Sequence, residues 1–282
     1  MQIIRGVAEL QAWSDRMRCA GKRVALVPTM GALHEGHLSL VRLALQRAER
    51  VITSIFVNPT QFGAGEDFEI YPRDLDGDAE QLRRAGCDVV FAPSVEEMYP
   101  SGWSTWVDVQ GLTDGLCGQD RPGHFRGVTT VVSRLLNAAK PDVAVFGEKD
   151  WQQLAIIRRM ARDLLWGVEI VGGPIVREPD GVAMSSRNQN LSADERRQAR
   201  ALNAALIEAR RLAAAGESRA AALEDAARRR IAKEPLARID YVEVVDPETL
   251  VPLEQIRSTA LMALAVRFSK ARLIDNALLE VG

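Results

Sequence analysis

Two histidines spaced for a common helix face give this chain its clearest chemical signal. His34 and His37 lie three residues apart at the start of a segment with helical apolar periodicity, Leu38 to Ala48. Residues three apart share one face of a helix, so we expect both imidazoles to point the same way. Gly31 and Gly36 allow a close backbone approach, and the first N–H groups of a helix favour anions. The pair alone is compatible with a phosphate site, a surface pair, or a metal half-site that lacks further ligands.

Polar loops follow two apolar runs that have the length and composition of buried strands. Asn58-Pro-Thr-Gln-Phe62 comes after the run Arg50 to Val57, and Gly147-Glu-Lys-Asp150 comes after Pro141 to Phe146. Open α/β sheets bind their ligands at the carboxyl ends of parallel strands. We therefore expect these loops to meet the two histidines at one crevice.

Two charged motifs admit a second explanation when each is taken alone. Arg121-Pro-Gly-His-Phe-Arg-Gly127 places two arginines and a histidine around two glycines, which suits an anion clamp or an ordinary surface turn. Lys149 follows a predicted strand, where it can contact a phosphate or pair with Glu148 or Asp150. Gln153 lies one helical turn after Lys149 and is expected to face the same crevice.

The order of the elements predicts an α/β fold. Up to residue 176, short apolar runs alternate with segments of helical periodicity, which predicts a Rossmann-like parallel sheet. Ala193 to Ile231 then carries Ala, Arg and Glu at helical spacing, with a break at Gly216. We therefore predict a Rossmann-like domain over residues 1–176 and a smaller α+β domain over residues 177–282. Three short strands are predicted in the second domain: Ile239 to Val245, Thr259 to Val266, and Leu273 to Asp275.

Two local patterns lead to narrower predictions. Ser192 and Glu195 have the spacing of a capping box, which predicts that a long helix begins there. The run Trp103 to Val109 is rich in aromatic and β-branched residues, which indicates an irregular strand.

Composition limits the class of protein. With 282 residues, 47% of them hydrophobic, the chain can form a full core, and a net charge of -2 gives no reason to expect nucleic acid as a partner. The cysteines Cys19, Cys87 and Cys117 form no Cys-x-x-Cys pair, so neither a disulfide framework nor a zinc site is predicted. The N-terminus lacks a signal pattern, and no run approaches the roughly 18 apolar residues of a membrane span. We therefore expect a cytoplasmic protein with no membrane partner.

The combination of motifs is more specific than any one of them. His34-Glu-Gly-His37 resembles the HxGH signature of nucleotidylyl-transferring α/β enzymes, and Met184-Ser-Ser-Arg187 resembles their second signature loop. With the loops described above and Arg272-Leu-Ile-Asp-Asn276, the chain resembles the pantothenate synthetase (pantoate–beta-alanine ligase) family along essentially its whole length.

The resemblance implies a ligase reaction in two steps. The carboxylate of (R)-pantoate attacks the α-phosphorus of ATP, which gives pantoyl adenylate and diphosphate. The amine of β-alanine then attacks the acyl carbon, which gives AMP and pantothenate, a coenzyme A precursor. One alternative keeps the adenylyl transfer but releases an adenylylated product, as in nucleotidylyltransferases that share HxGH. Another is a nucleotide-binding regulatory protein without turnover, against which the full set of site residues argues.

The same resemblance implies which residues form the site. His37 is implied as proton donor, and prepositioned donors can stabilise the charge that develops at five-coordinate phosphorus. The implied catalytic group is His34, His37, Lys149, Ser185, Ser186 and Arg187. ATP contacts are implied for Met30, Gly31, Ala32, Leu33, His34, Glu35, Gly36, His37, Gly147, Glu148, Lys149, Asp150, Val176, Met184, Ser185, Ser186 and Arg187.

The substrate acid is implied to bind through amides. Gln61 and Gln153 can each donate to a carboxylate and accept from a hydroxyl, which suits a hydroxy acid. Gln61 is also implied to contact β-alanine. Asn58, Arg121 and His124 are implied to lie around pantoate and the phosphates.

Magnesium and quaternary structure are implied less specifically. Mg²⁺ is expected to bridge the ATP phosphates and to keep several waters, so few protein ligands are expected. Asp78 and Gln81 lie in a region that resembles a family acidic cluster, but Gly77 stands where another acid is often found. No protein ligand of the metal is therefore assigned. The Gln189-Asn190 pair departs from the Gly-plus-aromatic pair often seen there, which leaves the expected local packing open.

The second domain is expected to act as a lid. The loop Met184 to Arg187 lies at its start and must reach ATP across the domain boundary. A homodimer through the N-terminal domain is implied by the resemblance alone.

Overall fold

A parallel sheet forms the centre of the N-terminal part of the chain. The structure is a computed structural model that describes residues 1–63 and 68–282. In chain order, the strands of the sheet are β1 (Gln2–Ile4), β2 (Val24–Thr29), β3 (Arg50–Ile55), β4 (Val89–Phe91), β5 (Val143–Gly147) and β6 (Glu169–Gly173). Within the described residues these six strands are all parallel and pair in the spatial order β1-β4-β3-β2-β5-β6.

Successive strands are added on one side of β2 in the first part of the chain and on its other side from β5 onward. This strand pairs with β3 on one side and with β5 on the other, although β5 comes much later in the chain. The loops that leave the carboxyl ends of β2 and β5 therefore diverge and open a crevice between them, as at other topological switch points. The loop after β2 ends at His34 and leads into the helix turn that contains His37, and Lys149 follows β5 directly.

Apolar cores cover both faces of this sheet, because side chains alternate along each strand. Leu26 and Ile52 belong to one core, while Val27 and Val51 belong to the other. The helices of this part are α1 (Val7–Cys19), α2 (Glu35–Leu45), α3 (Leu75–Ala85), α4 (Val95–Met98), α5 (Cys117–Asp120), α6 (His124–Ala139) and α7 (Trp151–Asp163). The first core contains residues of α1, α6 and α7, and the second contains residues of α2 and α3.

The C-terminal part is a helix pair packed on a small antiparallel sheet. Its elements are α8 (Ala193–Ala214), α9 (Ala220–Ile231), β7 (Arg238–Val245), β8 (Thr259–Arg267) and β9 (Arg272–Glu280). The strands pair in the order β7-β8-β9. Met262 and Leu264 of β8 pack with α8 and α9, whereas Leu261 and Ala263 belong to the same core as the parallel sheet. The small sheet is therefore buried between its own helices and the N-terminal part.

The structure confirms the predicted fold class, an α/β parallel sheet followed by a smaller α+β part. The capping box also forms, with Ser192 Oγ accepting from Glu195 N and Glu195 Oε2 accepting from Ser192 N. Strand β9 extends well beyond the predicted Leu273 to Asp275. Within the part of the chain that the structure describes, no helix is both long enough and apolar enough to cross a lipid bilayer.

Two local features differ from the prediction. Strand β1 was not predicted, because three residues are too few to show a period. The predicted strand Trp103 to Val109 is wrong, since this segment forms no ladder. Its backbone is held by side chains of α6 instead: Val107 N donates to Thr130 Oγ1 at 3.1 Å, and Val107 O accepts from Thr129 Oγ1 at 2.6 Å.

Candidate active site

The two histidines cap the first turn of α2. His34 Nδ1 accepts from Gly36 N at 3.1 Å, and His37 Nδ1 accepts from His34 N at 3.3 Å. The ring centroids are 4.1 Å apart. A neutral imidazole that accepts at Nδ1 carries its proton on Nε2. Both rings therefore present an Nε2–H donor, and they lie side by side as predicted, although His34 is the residue before α2 and not part of the helix.

The electrostatic surroundings keep both histidines uncharged. Burial, reinforced by His34 and Lys149, lowers the pKa of His37 to about 3. The pKa of His34 is also lowered, mainly by burial and then by Lys149, against the opposing effect of Glu178 and Asp150. At neutral pH the pair consequently acts through hydrogen-bond donation and does not carry the positive charge of the site.

A buried carboxylate fixes the loop that precedes the histidines. Asp78 is 3% exposed, and its two oxygens accept from Ala32 N and Leu33 N, each at 2.9 Å. Gly31 and Ala32 both have positive φ, 83° and 51°, and the second value is unfavourable for a residue with a side chain. The two hydrogen bonds hold this strained turn in place. Asp78 lies in the region that resembles a family acidic cluster, and in the structure both of its oxygens accept from the backbone.

The described residues contain no cluster of three or more His, Cys, Asp or Glu side chains arranged to hold a metal ion. The interpretation of His34 and His37 as half of a metal site therefore has no further ligands among the described residues.

The turn after β3 is built around Asn58, which is 1% exposed. Its Nδ2 donates to Gln61 Oε1 at 3.0 Å and to Gly127 O at 3.2 Å, and its Oδ1 accepts from Tyr99 Oη at 2.7 Å. Both amide donors are thus used inside the protein. Asn58 orients Gln61, and Gln61 Nε2 points to Met30 Sδ at 3.2 Å, a weak acceptor that a carboxylate can readily replace.

Arg121 and His124 support the same turn from its backbone side. Arg121 Nη1 lies 2.9 Å from His124 Nε2, and a guanidinium can only donate. His124 Nε2 is therefore the acceptor, so Nδ1 carries the proton and donates to Gln61 O at 2.8 Å. This chain of hydrogen bonds ties the start of α6 to Gln61.

Lys149 lies in a single 3-10 turn, Glu148–Asp150, directly after β5. Its Nζ is 3.9 Å from Asp150 Oδ2, too long for a hydrogen bond, and its side chain is 21% exposed. Its charge is a cause of the lowered pKa of both histidines. Of the two alternatives for Lys149, pairing with Asp150 is therefore weak, and Lys149 lines the crevice.

The second signature loop enters the crevice from the other side. Met184 N donates to Val176 O at 2.9 Å, which brings the loop back beside the end of the parallel sheet. Ser185 caps the following 3-10 turn, Ser186–Asn190, and its Oγ accepts from Arg187 N at 3.3 Å.

These loops surround one cavity of about 250 Å³. The predicted site residues that line it are Met30, His34, Gly36, His37, Asn58, Gln61, Arg121, His124, Gly147, Lys149, Asp150, Gln153, Val176, Met184, Ser185, Ser186 and Arg187. The predicted residues that lie in the same loops without lining it are Gly31, Ala32, Leu33, Glu35 and Glu148. Leu33 is buried, and Glu35 faces outward to pair with Arg42.

Sequence reasoning missed an apolar wall of the cavity. Val128, Val131, Val132 and Leu135 of α6 line it opposite the polar loops. Their spacing of three and four residues is an ordinary amphipathic pattern, which does not separate residues facing a ligand from residues facing the core.

Comparison with known proteins finds matches along nearly the whole chain. A family model described as Pantoate-beta-alanine ligase matches residues 2–278. The chain is similar to the curated pantothenate synthetase of Heliobacterium modesticaldum, with 56% identity over 281 residues and 100% of each chain covered.

Solved structures give the same result. A pantothenate synthetase structure from Thermus thermophilus is 49% identical, with 98% of this chain and 99% of that chain covered and a TM-score of 0.93. A pantoate–beta-alanine ligase from Francisella tularensis, described as complexed with Beta-gamma ATP and Beta-alanine, is 32% identical. It covers 100% of this chain and 99% of its own, with a TM-score of 0.81.

Proposed function

The chain belongs to the pantoate–beta-alanine ligase family, whose reaction forms an amide bond, and we propose that its catalytic site is the crevice between β2 and β5. There ATP drives the condensation of (R)-pantoate with β-alanine to pantothenate, with AMP and diphosphate as the other products. One observation carries this assignment: both histidines, Lys149 and the Ser185–Arg187 loop line a single cavity together with Gln61 and Gln153.

We propose that the reaction passes through pantoyl adenylate. A pantoate carboxylate oxygen attacks the α-phosphorus, and diphosphate leaves with the electrons of the broken P–O bond. Negative charge builds on the phosphate oxygens as this occurs, so donors that are already oriented lower the barrier. His34 and His37 supply Nε2–H groups, and Lys149 supplies a positive charge. With its pKa near 3, His37 donates a hydrogen bond and retains its proton in this step.

The pantoate pocket combines amides with an apolar wall. Gln61 and Gln153 suit the carboxylate and hydroxyl groups of the acid. Val131 and Leu135 are buried and line the same cavity. We propose that they pack against the two methyl groups of pantoate. Asn58, Arg121 and His124 then act by holding Gln61, since their hydrogen bonds run to that turn.

We propose that Mg²⁺ accompanies ATP and is held chiefly by phosphate oxygens and water. Asp150 is the single carboxylate among the described residues that line the cavity, and the other charged lining groups are cations that suit phosphate. The bound ion would neutralise part of the triphosphate charge. Loss of AMP formation on chelation with EDTA, and its return with added Mg²⁺, tests this.

We propose the division into a domain over residues 1–176 and a lid over residues 177–282. One face of the small sheet already packs into the N-terminal core, so we place the movement on ATP binding mainly in the loop around Met184. A protease pattern around residues 177–190 that ATP leaves unchanged would contradict the closure. We also propose that the protein is cytoplasmic and forms a homodimer. Sedimentation at working concentration tests the dimer.

An AMP-release assay that omits one substrate at a time tests the proposed function. Purified protein with ATP, Mg²⁺, pantoate and β-alanine is expected to release AMP and pantothenate together. Omitting either acid substrate should abolish steady AMP release. A stable adenylylated product with no amide in the mass spectrum would instead select the nucleotidylyltransferase alternative, and folded protein without any AMP release would refute the ligase.

The lowered pKa of His37 predicts a specific pH dependence of stability. Unfolded His37 takes up a proton below about pH 6.5, whereas folded His37 remains neutral until about pH 3. The unfolded state thus binds more protons, and the free energy of unfolding should fall as the pH decreases from 7 to 5. His37→Asn should show a smaller fall, measured by urea unfolding at both pH values. Long-range ¹H–¹⁵N NMR should find the Nε2–H tautomer of His37 throughout; titration near pH 6.5 would contradict the assignment.

A further inference from the structure

Strand β9 carries two neighbouring polar residues, Asp275 and Asn276, that are almost completely buried. Asp275 is 2% exposed and Asn276 is 6% exposed. Neighbouring residues of a strand point to opposite faces, so this pair reaches in two directions. Both residues contribute to the lining of a cavity of about 430 Å³ that adjoins the catalytic crevice and shares Lys149, Ser185 and Arg187 with it. A buried polar pair at this junction requires partners, and both residues find them in loops of the site.

Asn276 holds the backbone that carries Lys149. Its Nδ2 donates to Glu148 O and to Lys149 O, each at 2.9 Å, from a strand 127 residues further along the chain. The segment is a single 3-10 turn of three residues, so these two hydrogen bonds from β9 add support that the short turn does not supply for itself. Among the described residues, the Lys149 ammonium makes one ion-pair contact, with the Asp150 carboxylate at 3.9 Å. Its position is therefore set largely through its backbone, which Asn276 fixes.

Asp275 holds the base of the second signature loop. Its two oxygens accept from Arg177 Nη1 at 2.7 Å and Nη2 at 2.9 Å, a two-pronged arrangement that fixes orientation as well as distance. Arg177 also donates to Gly181 O at 3.1 Å and pairs with Ala183 in an antiparallel bridge. The residues that lead into Met184 are thus anchored on β9.

The two contacts have a common consequence. The Lys149 loop leaves the parallel sheet, and the Ser185–Arg187 loop enters from the C-terminal part, so nothing in the connectivity alone sets their separation. Asp275 and Asn276 are adjacent on one rigid strand, and one residue binds each loop. Strand β9 therefore helps to set the distance between the two loops that carry the phosphate donors.

We propose that Asp275 and Asn276 are positioning residues for adenylate formation, which hold the Lys149 loop and the Ser185–Arg187 loop at the separation the reaction requires. This inference rests on the proposed ligase function. It gives the small sheet a direct part in aligning the phosphate donors, in addition to covering the crevice.

The test compares Asn276→Ala and the isosteric Asn276→Asp with a matched control, Gln198→Ala. Gln198 also binds backbone through its amide, accepting from Leu236 N at 2.8 Å, but within the C-terminal part alone. Pantoate-dependent exchange of labelled diphosphate into ATP measures the first step. We expect Asn276→Ala to lower its kcat by roughly tenfold to a hundredfold, because a misplaced donor costs rate more than binding, with the KM for pantoate nearly unchanged. The control should match the wild type.

The pH dependence of the Asn276→Asp variant separates a positioning role from a purely structural one, which would not make the relative rate depend on pH. A carboxylate at this position repels the two carbonyls, whereas the protonated carboxyl group can donate to them. The rate of Asn276→Asp relative to the wild type should therefore rise as the pH falls from about 8 to about 6. Asp275→Asn, which retains the shape and removes the charge facing Arg177, should lower kcat in the same direction as Asn276→Ala.

The outcomes separate this inference from the proposed function. Wild-type protein without AMP release refutes the ligase. An active wild type with Asn276→Ala at wild-type kcat, or with only a lower melting temperature, overturns the positioning role. If Asn276→Ala does not fold, the pH response of Asn276→Asp decides: a relative rate independent of pH overturns the inference, and recovery at low pH supports it.

Discussion

Lys149→Ala and His37→Ala are each expected to slow adenylate formation by about 3 kcal/mol at the transition state, roughly a 150-fold loss of rate. Both groups face the crevice and act on charge that appears only as phosphorus becomes five-coordinate. Single-turnover kinetics with ATP and pantoate, followed by quenching and detection of pantoyl adenylate, measures this step directly. The losses should appear in kcat more than in KM, since the donors bind the transition state better than the ground state.

The two substitutions should not be additive. Lys149 helps to lower the pKa of both histidines, so its removal changes His37 as well as the charge of the site. The double variant is expected to lose less rate than the sum of the single losses, as is usual for residues that act as a unit. Lys149→Ala should also raise the pKa of His37.

A surface lysine provides the matched control. Lys140 forms an exposed ion pair with Asp15 at 2.7 Å on the far end of α6. Lys140→Ala removes the same type of side chain and should leave single-turnover rates near those of the wild type. Wild-type rates in Lys149→Ala or His37→Ala, with folded protein, would refute the corresponding donor role.

Local patterns in the sequence predicted the fold and the meeting of the strand-end loops, whereas the individual lining residues were implied by the resemblance to the ligase family. Buried β-branched runs such as Arg50 to Val57 identify strands, and the polar loops that follow them lie together for topological reasons. The motif loops were recognisable as a set, and most of their residues do line one cavity. The three-residue spacing of the histidine pair brought the two rings together, although His34 precedes α2 and the capping hydrogen bonds fix both rings.

Contacts between distant parts of the chain were not predictable in this way. Asp78 binds a loop 46 residues away, and Asn276 binds one 127 residues away. The sequence pattern around a single Asp or Asn does not show whether its side chain is buried and bound to a distant loop or exposed to solvent. The strand predicted for Trp103 to Val109 was wrong because a distant contact overrides the local pattern. The composition of this segment favours a strand, but threonines of α6 form hydrogen bonds with its backbone.

The implied pantoate residues divide into two groups once their partners are known. Gln61 and Gln153 face the cavity with amides that can meet a substrate. Asn58 uses both amide donors within the protein, and His124 donates to Gln61 O. Asn58 and His124 therefore hold the turn that carries Gln61. The position of this turn depends on how closely α6 approaches it.

That approach predicts a large effect for Gly127→Ala. A Cβ at residue 127 would lie 2.3 Å from Thr60 O and 2.7 Å from Gln61 Cα, distances that force α6 and the turn apart. The Asn58 Nδ2–Gly127 O bond of 3.2 Å would break, and Gln61 would shift with its backbone. We expect kcat/KM for pantoate to fall by roughly a hundredfold, the cost typical of a misplacement of about 1 Å. Overpacking should also lower the free energy of unfolding by about 1–3 kcal/mol.

Steady-state kinetics with pantoate varied, together with urea unfolding, measures both effects of Gly127→Ala. Gly167→Ala is the matched control, because Gly167 is exposed and no atom lies within 4 Å of the added Cβ. A stability loss with unchanged kcat/KM for pantoate would show that Gln61 does not depend on this contact. A loss confined to pantoate, with ATP binding retained, would place the effect in the Gln61 turn, because the atoms nearest the added Cβ belong to Thr60 and Gln61.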